Sequence, residues 1–265
     1  MRLLHLLILF ASALCASCTS PMPPDEVPHV LFVGNSLTYV GNTPAVFAAL
    51  SRRGDHPVVA EMIVEGGATL SQRLKDGSVA RALSARKYST VVLQERGGDL
   101  LCSFGPSSCE ESRQAIAALT ALAKSGGAKV VLLGTYQSMP RISVALVEAE
   151  SAAAGEAGIP YAEISNKLQV LQKELPETQW FDPDGMHPSS NLALLNALTL
   201  FEVLYNTEPP AGTLIVRAPI YGTSSGLTSA LTLADAPPPR SDTRLEISYG
   251  ADEIQSLVSG LKSGS

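Results

Sequence analysis

Apolar residues along this chain fall into two alternating patterns. Short, nearly unbroken runs occur at residues 29–33, 57–64, 90–93, 129–133 and 159–164. Between them lie longer stretches with apolar positions at helical spacing, at 43–53, 78–87, 110–124, 142–157 and 192–205. A strand buried on both faces needs the first pattern, and a helix with one buried side needs the second. Pro44 sits at an early helical position, where its missing N–H is harmless, and Gly126 and Gly127 stop the 110–124 stretch. Strands that alternate with helices of this length predict βαβ crossovers. The expected fold class is α/β: a three-layer α/β/α sandwich around a mainly parallel sheet of about five strands. Such sheets carry their sites at the carboxyl ends of the strands. After Pro209 and Pro210 the regularity fades. Residues 211–220 have room for a strand, 236–240 hold three consecutive prolines and predict a loop, and 252–261 predict a closing helix. Residues 29–265 are read as a single domain.

The first residues belong to a different category. Arg2 precedes an apolar run at 3–14, and the small residues Ala16 and Ser17 follow. That is the pattern of a secretory signal, here 1–17, and the run is too short to favour a spanning helix. Export is the expectation. Cys18 comes directly after the small residues and resembles the lipidated cysteine of a bacterial lipobox, although Cys15 occupies a position where an aliphatic residue is usual. Two readings stand: a lipoprotein attached to the cell-envelope membrane through Cys18, and simple cleavage to a secreted or periplasmic protein. Residues 18–28 are rich in Pro and Ser and read as a tether.

Charge and cysteines narrow the function classes. The formal net charge is −6 over 265 residues, with no basic stripe, which argues against a nucleic-acid partner. Cys102 and Cys109 flank a turn containing Gly105 and Pro106. In an exported protein a local disulfide is the expected outcome. A zinc site is the weaker reading, because two cysteines do not complete a zinc shell and no histidines cluster nearby.

Two short segments carry candidate chemistry. Gly34-Asn35-Ser36-Leu37-Thr38 follows the first strand directly, which puts Ser36 on the functional rim of the sheet. Its plain alternative is a turn or helix cap, where Ser and Asn are favoured. Asp184-Gly185-Met186-His187-Pro188 precedes the last long helix. An imidazole that serves as a base needs an acceptor on its other nitrogen, and an Asp three residues earlier can supply it. Its plain alternative is a loop histidine beside a capping aspartate.

Taken together, the two segments resemble the block arrangement of the SGNH (GDSL-type) hydrolases, a family with a flavodoxin-like sandwich. Residues 33–38 look like its first block, with Asn35 where Asp is commoner. Glu65-Gly66-Gly67-Ala68-Thr69 looks like the second, and Asp184 with His187 like the last. The third block departs. Val91-Val92-Leu93-Gln94-Glu95 is similar to a bacterial branch in which this sequence replaces the usual Gly-x-Asn-Asp. The resemblance implies Ser36 as nucleophile, His187 as base and Asp184 as its orienting partner. It also implies an oxyanion hole built from the Ser36 and Gly67 amides. Gln94 is expected to take the place of the missing Asn side chain, the alternative being a hole with two donors. No cofactor and no metal are implied.

The implied activity is hydrolysis of carboxylic esters through an acyl-enzyme, on a small-molecule or polysaccharide ester, with removal of acetyl groups from carbohydrate as the leading case. The competing readings are a lipase, thioesterase or arylesterase on the same triad, and a non-catalytic binding lipoprotein that retains the fold. Tyr136, Arg141 and Trp180 are expected near the rim, Trp180 chiefly as packing. Glu95 and Arg96 are expected to pair with each other or to line the site.

Overall fold

A computed structural model of the chain describes residues 27–137 and 139–263. The signal segment 1–17 and Cys18 lie outside the described residues.

In chain order the elements are β1 (His29–Gly34), α1 (Ser36–Tyr39), α2 (Thr43–Arg53), β2 (Val59–Val64), α3 (Leu70–Lys75), α4 (Ser78–Ala85) and β3 (Thr90–Leu93). There follow α5 (Pro106–Ser125), β4 (Lys129–Leu133), α6 (Pro140–Ala157), β5 (Tyr161–Ala162), α7 (Ser165–Glu174) and α8 (Ser190–Tyr205). The last part holds β6 (Leu214–Val216), β7 (Thr232–Leu233), β8 (Ile247–Tyr249) and α9 (Ala251–Ser263).

The main sheet has six strands in the order β5-β4-β3-β1-β2-β7. Its first five are mutually parallel, and β7 runs antiparallel to β2. The expected parallel sheet is therefore present, with a sixth strand added by the tail. β6 and β8 form a separate antiparallel pair.

Alternate residues of β1 feed two cores, as strand geometry requires. Val30 and Phe32 face a cluster that includes Phe47 of α2, Leu171 of α7, Leu198 of α8 and Leu257 of α9. Leu31 and Val33 face another that includes Leu70 of α3, Val79 of α4, Ile116 of α5 and Ala153 of α6. Helices therefore cover both faces and the sandwich has three layers. Burying one such side chain fully stabilises by about 1.5–3 kcal/mol.

The order of strands determines where a site can form. The chain leaves β1 for β2 on one side and places β3 on the other. The connections that leave β1 and β3 therefore turn to opposite faces of the sheet, α2 to one and α5 to the other, and a crevice opens at this switch point. Ser36 follows β1 directly, and residues 94–98 follow β3.

The disulfide expected between Cys102 and Cys109 is present, with Cα atoms 4.8 Å apart. Several elements differ from expectation: α3, β7 and β8 were not expected, and three others are altered or new. The fifth strand contracts to Tyr161–Ala162. Pro160 has no N–H to give, and the Glu163 carboxylate accepts from the Asn166 and Lys167 amides at 2.6 and 3.4 Å, which starts α7 instead. α5 begins at Pro106, inside the disulfide loop, because proline fits the first helical turn.

Two glutamates are buried where elements meet. The Glu150 carboxylate on α6 accepts from the Thr135 amide and hydroxyl and from the Tyr161 hydroxyl. Glu95 accepts from the Leu70 and Arg96 amides. Burial pushes each carboxyl up to about 7. An unfolded glutamate titrates near 4.3. Between these values the folded chain holds protons that the unfolded chain has released. Stability should therefore fall as pH rises from about 4.5 to 7, by up to about 1.4 kcal/mol per pH unit for each group, and level off above. Urea unfolding at pH 5 and pH 8 checks this. The midpoint should be higher at pH 5, and Glu150→Gln should flatten part of the slope.

Candidate active site

The turn after β1 is held from within. Asn35 caps α1: its side-chain oxygen accepts from the Leu37 amide at 3.0 Å, and its carbonyl accepts from Thr38 at 3.0 Å. Ser36 is thus the first residue of a helical turn, a position whose N–H has no intrahelical acceptor. The Asn35 amide nitrogen donates to the Ala68 carbonyl at 3.1 Å. That bond ties the serine turn to the turn after β2. An ionised aspartate at this position has no proton to give, so the asparagine carries a specific function here.

The second turn contains Gly66 and Gly67. Gly67 adopts φ +70, a left-handed conformation that suits glycine. Ala68 donates to the Glu65 carbonyl at 3.1 Å to close the turn. Thr69 then caps α3 in a reciprocal capping box with Gln72. Gly67 is fixed from both sides and lies in the wall of the same cavity as Ser36.

His187 arrives on a loop closed like a hairpin. Ser189 donates to the Trp180 carbonyl at 3.0 Å and Asp182 to the His187 carbonyl at 2.9 Å. Gly185, at φ +70, makes the turn inside it. The Tyr136 hydroxyl donates to the Met186 carbonyl at 3.0 Å and braces the loop from the β4 side. Asp184 performs two tasks. One oxygen accepts from the Met186 and His187 amides at 2.9 Å each. The other lies 2.6 Å from His187 Nδ1.

These contacts set the protonation pattern. The His187 and Met186 amides, with the imidazole, hold the Asp184 carboxyl down at about 2. The carboxylate can only accept from Nδ1, which assigns the proton to that nitrogen. Nε2 then presents a lone pair to Ser36 Oγ, 2.9 Å away, and the hydroxyl donates. Ser36, His187 and Asp184 form one continuous chain of hydrogen bonds.

The chain opens into a cavity of about 780 Å³. Leu37, Tyr39, Tyr136 and Phe181 supply apolar wall, and Phe104 and Met186 stand at its mouth, both exposed. Tyr136 thus lies on the rim, as expected. Trp180 is buried in the core beneath. Arg141 is exposed on α6 and does not line the cavity.

The third block is arranged otherwise than expected. Gln94 is buried and is absent from the cavity wall. Its side-chain oxygen accepts from the Thr38 hydroxyl at 2.6 Å, and its amide nitrogen donates to the Gly134 carbonyl at 3.1 Å. A carbonyl can only accept, so the amide cannot be turned the other way. Gln94 fastens the ends of β1, β3 and β4 together, with both side-chain polar atoms engaged away from the cavity wall. Gln94→Ala should cost about 1–3 kcal/mol of stability in urea unfolding, through the unpaired groups it leaves. Its kcat/KM on an aryl acetate should fall well short of the ~100-fold loss that follows removal of an oxyanion donor. Of the two readings for Glu95 and Arg96, side-chain pairing is not seen, but Arg96 does line the cavity. Glu95 turns inward, and Arg96 makes a two-pronged bond to Asp99 at 2.7 and 2.9 Å.

No family model matches the chain, and no curated protein matches it. Solved structures do. A protein from Slackia heliotrinireducens assigned to the SGNH hydrolases is 24% identical, with a TM-score of 0.55, covering 68% of this chain and 100% of that one. A variant of Axe2, an acetyl-xylooligosaccharide esterase from Geobacillus stearmophilus, is 15% identical at TM-score 0.54, covering 67% of this chain and 94% of the other. The psychrotrophic esterase EstA from Pseudoalteromonas sp. is 14% identical at TM-score 0.52, covering 67% and 97%.

The fold is that of the SGNH hydrolases.

Within this SGNH fold, the serine turn and the Gly66–Gly67 turn leave the ends of adjacent parallel strands, and the Asp-His loop crosses in front of them. Tyr39, Phe104 and Phe181 are site features that the sequence did not single out, and Asn35 was noted only as a departure from the usual Asp. Asn35 carried a signal, because an amide in place of a carboxylate adds a donor that something must accept.

Proposed function

We propose that the protein is an exported serine ester hydrolase that removes short acyl groups, acetyl foremost, from carbohydrate. The observation that carries this reading is the relay Ser36–His187–Asp184, with links of 2.9 and 2.6 Å, opening beside Gly67 into one cavity.

Ser36 Oγ attacks the ester carbonyl while His187 Nε2 takes its proton. The carbonyl oxygen becomes negative as the tetrahedral intermediate forms, and the Ser36 and Gly67 amides donate to it. The C–O bond to the alcohol breaks, His187 returns the proton to the leaving oxygen, and an acyl-Ser36 ester remains. Water, deprotonated by His187, then attacks that ester and releases the acid and free Ser36. Asp184 keeps the imidazole in the required tautomer and stabilises it when protonated.

Export rests on the signal pattern at 1–17. Cys18 is either a lipid anchor in the cell envelope or a residue near a simple cleavage site. Acetyl-carbohydrate as substrate is supported by the fold shared with an acetyl-xylooligosaccharide esterase and by a cavity too large for an acyl group alone. The test is a fluorophosphonate probe on the mature protein, followed by acetyl, butyryl and octanoyl aryl esters. Labelling at Ser36 with acetyl preferred is the expected result. Preference for octanoyl would make the protein a lipase, and no labelling would make it a binding protein.

A further inference from the structure

Phe104 is 58% exposed, whereas Phe32, Phe47 and Phe201 are buried to 1% or less. An exposed phenylalanine by itself means nothing. This one is held in place. The Arg96 guanidinium carbon lies 3.8 Å from the ring centroid and covers one face. Arg96 is itself clamped by Asp99 through two hydrogen bonds. The loop that carries the ring is closed by the Cys102–Cys109 disulfide. Gly98 lets the ring come close, since a Cβ there would stand 3.1 Å from it. Phe104 and Arg96 both belong to the wall of the Ser36 cavity.

We propose that this disulfide-closed loop is the alcohol-side binding element of the site, with Phe104 as a stacking platform for a pyranose ring. The inference rests on the ester-hydrolase reading above. A cavity of about 780 Å³ leaves most of its space to the alcohol once an acetyl group is seated. An aliphatic acyl chain calls for an enclosed slot, whereas a ring with one face capped and the other open to solvent offers a flat surface. The axial C–H face of a sugar is apolar and weakly positive, and it complements the negative face of the aromatic quadrupole. Its hydroxyls remain in water. Arg96 and the disulfide are positioning elements that keep the free face turned to the cavity.

The experiment uses two readouts. First, an acetylated xylo-oligosaccharide is titrated by calorimetry into Ser36→Ala protein, which cannot turn it over. Adding Phe104→Ala should weaken binding about five- to tenfold, and Phe104→Trp should restore it. Second, with Ser36 present, kcat/KM for the oligosaccharide is compared with that for ethyl acetate, which has no ring. Phe104→Ala should lower the ratio by the same factor, mainly through KM, and Cys102→Ser/Cys109→Ser should lower it in the same direction. Unchanged affinity in the titration, an equal loss on both esters, or a selective loss on octanoyl esters would each overturn the platform. Failure of the ester-hydrolase reading would show differently, as absent fluorophosphonate labelling with Phe104-dependent oligosaccharide binding intact.

Discussion

Ser36→Ala should reduce kcat/KM on aryl acetates by at least about 10⁴-fold and abolish fluorophosphonate labelling. The size follows from the step removed. Without Oγ there is no covalent intermediate, and only the binding and oxyanion contributions remain, which in serine hydrolases leave a small residue of the full acceleration. The change should be nearly silent in folding. Among the described residues Ser36 Oγ bonds to His187 Nε2 alone, and the turn is held by the Asn35 side chain and by backbone bonds, not by the serine hydroxyl. Urea unfolding within about 1 kcal/mol of the parent is expected. A variant that retained even a hundredth of the parent rate, after exclusion of contaminating esterase, would remove Ser36 from the mechanism.

Gly34→Ala should cost less in rate, on the order of 100-fold if the serine turn moves, and far more in stability. A Cβ at this position would overlap the Thr38 hydroxyl and stand 3.3 Å from the Gln94 carbonyl. Thr38 cannot step aside freely. Its side chain is buried, and its hydroxyl donates to Gln94 at 2.6 Å. Relief requires either breaking that bond or moving the turn. The first leaves a buried oxygen unpaired at about 1–3 kcal/mol, and overpacking adds about as much again. The second displaces Ser36, two residues along, and a shift of about 1 Å in a reacting group costs on the order of 100-fold. Calorimetric melting together with kcat on an aryl acetate separates the two routes. A melting temperature and rate both equal to the parent would show that the turn tolerates the methyl group.

The strands that hold the site were legible because each is buried on both sides. Such strands must be apolar throughout, and residues 90–93 and 129–133 became β3 and β4 without adjustment. That Ser36, Asp184 and His187 would come together was legible from their two short segments, and Gly67 beside them only through the resemblance to the SGNH blocks. Gln94 was legible as a polar residue at a strand end, but the direction of its amide was not. That direction depends on the Gly134 carbonyl, 40 residues away in sequence. α7 was missed for a related reason, because its start is a side-chain cap by Glu163, which in sequence extends a strand-like run. β7 is two residues long, shorter than any pattern can mark. Phe104 reads as one aromatic in a turn, and only the guanidinium beneath it distinguishes it.

The short strand contributed by the tail has a wider bearing. β7 lies along β2, and Asn42 reaches across from the start of α2 to the Pro219 and Ala234 carbonyls at 2.7 and 2.8 Å. Without that segment, β2 would be the outer strand of the sheet, with a row of open backbone donors and acceptors. Such an edge is a template for pairing with another chain. Residues beyond 210 thus cover an edge that would otherwise be open to pairing, and through the Gly41–Tyr221 bond and Thr223 in the cavity wall the same tail also supports the serine segment.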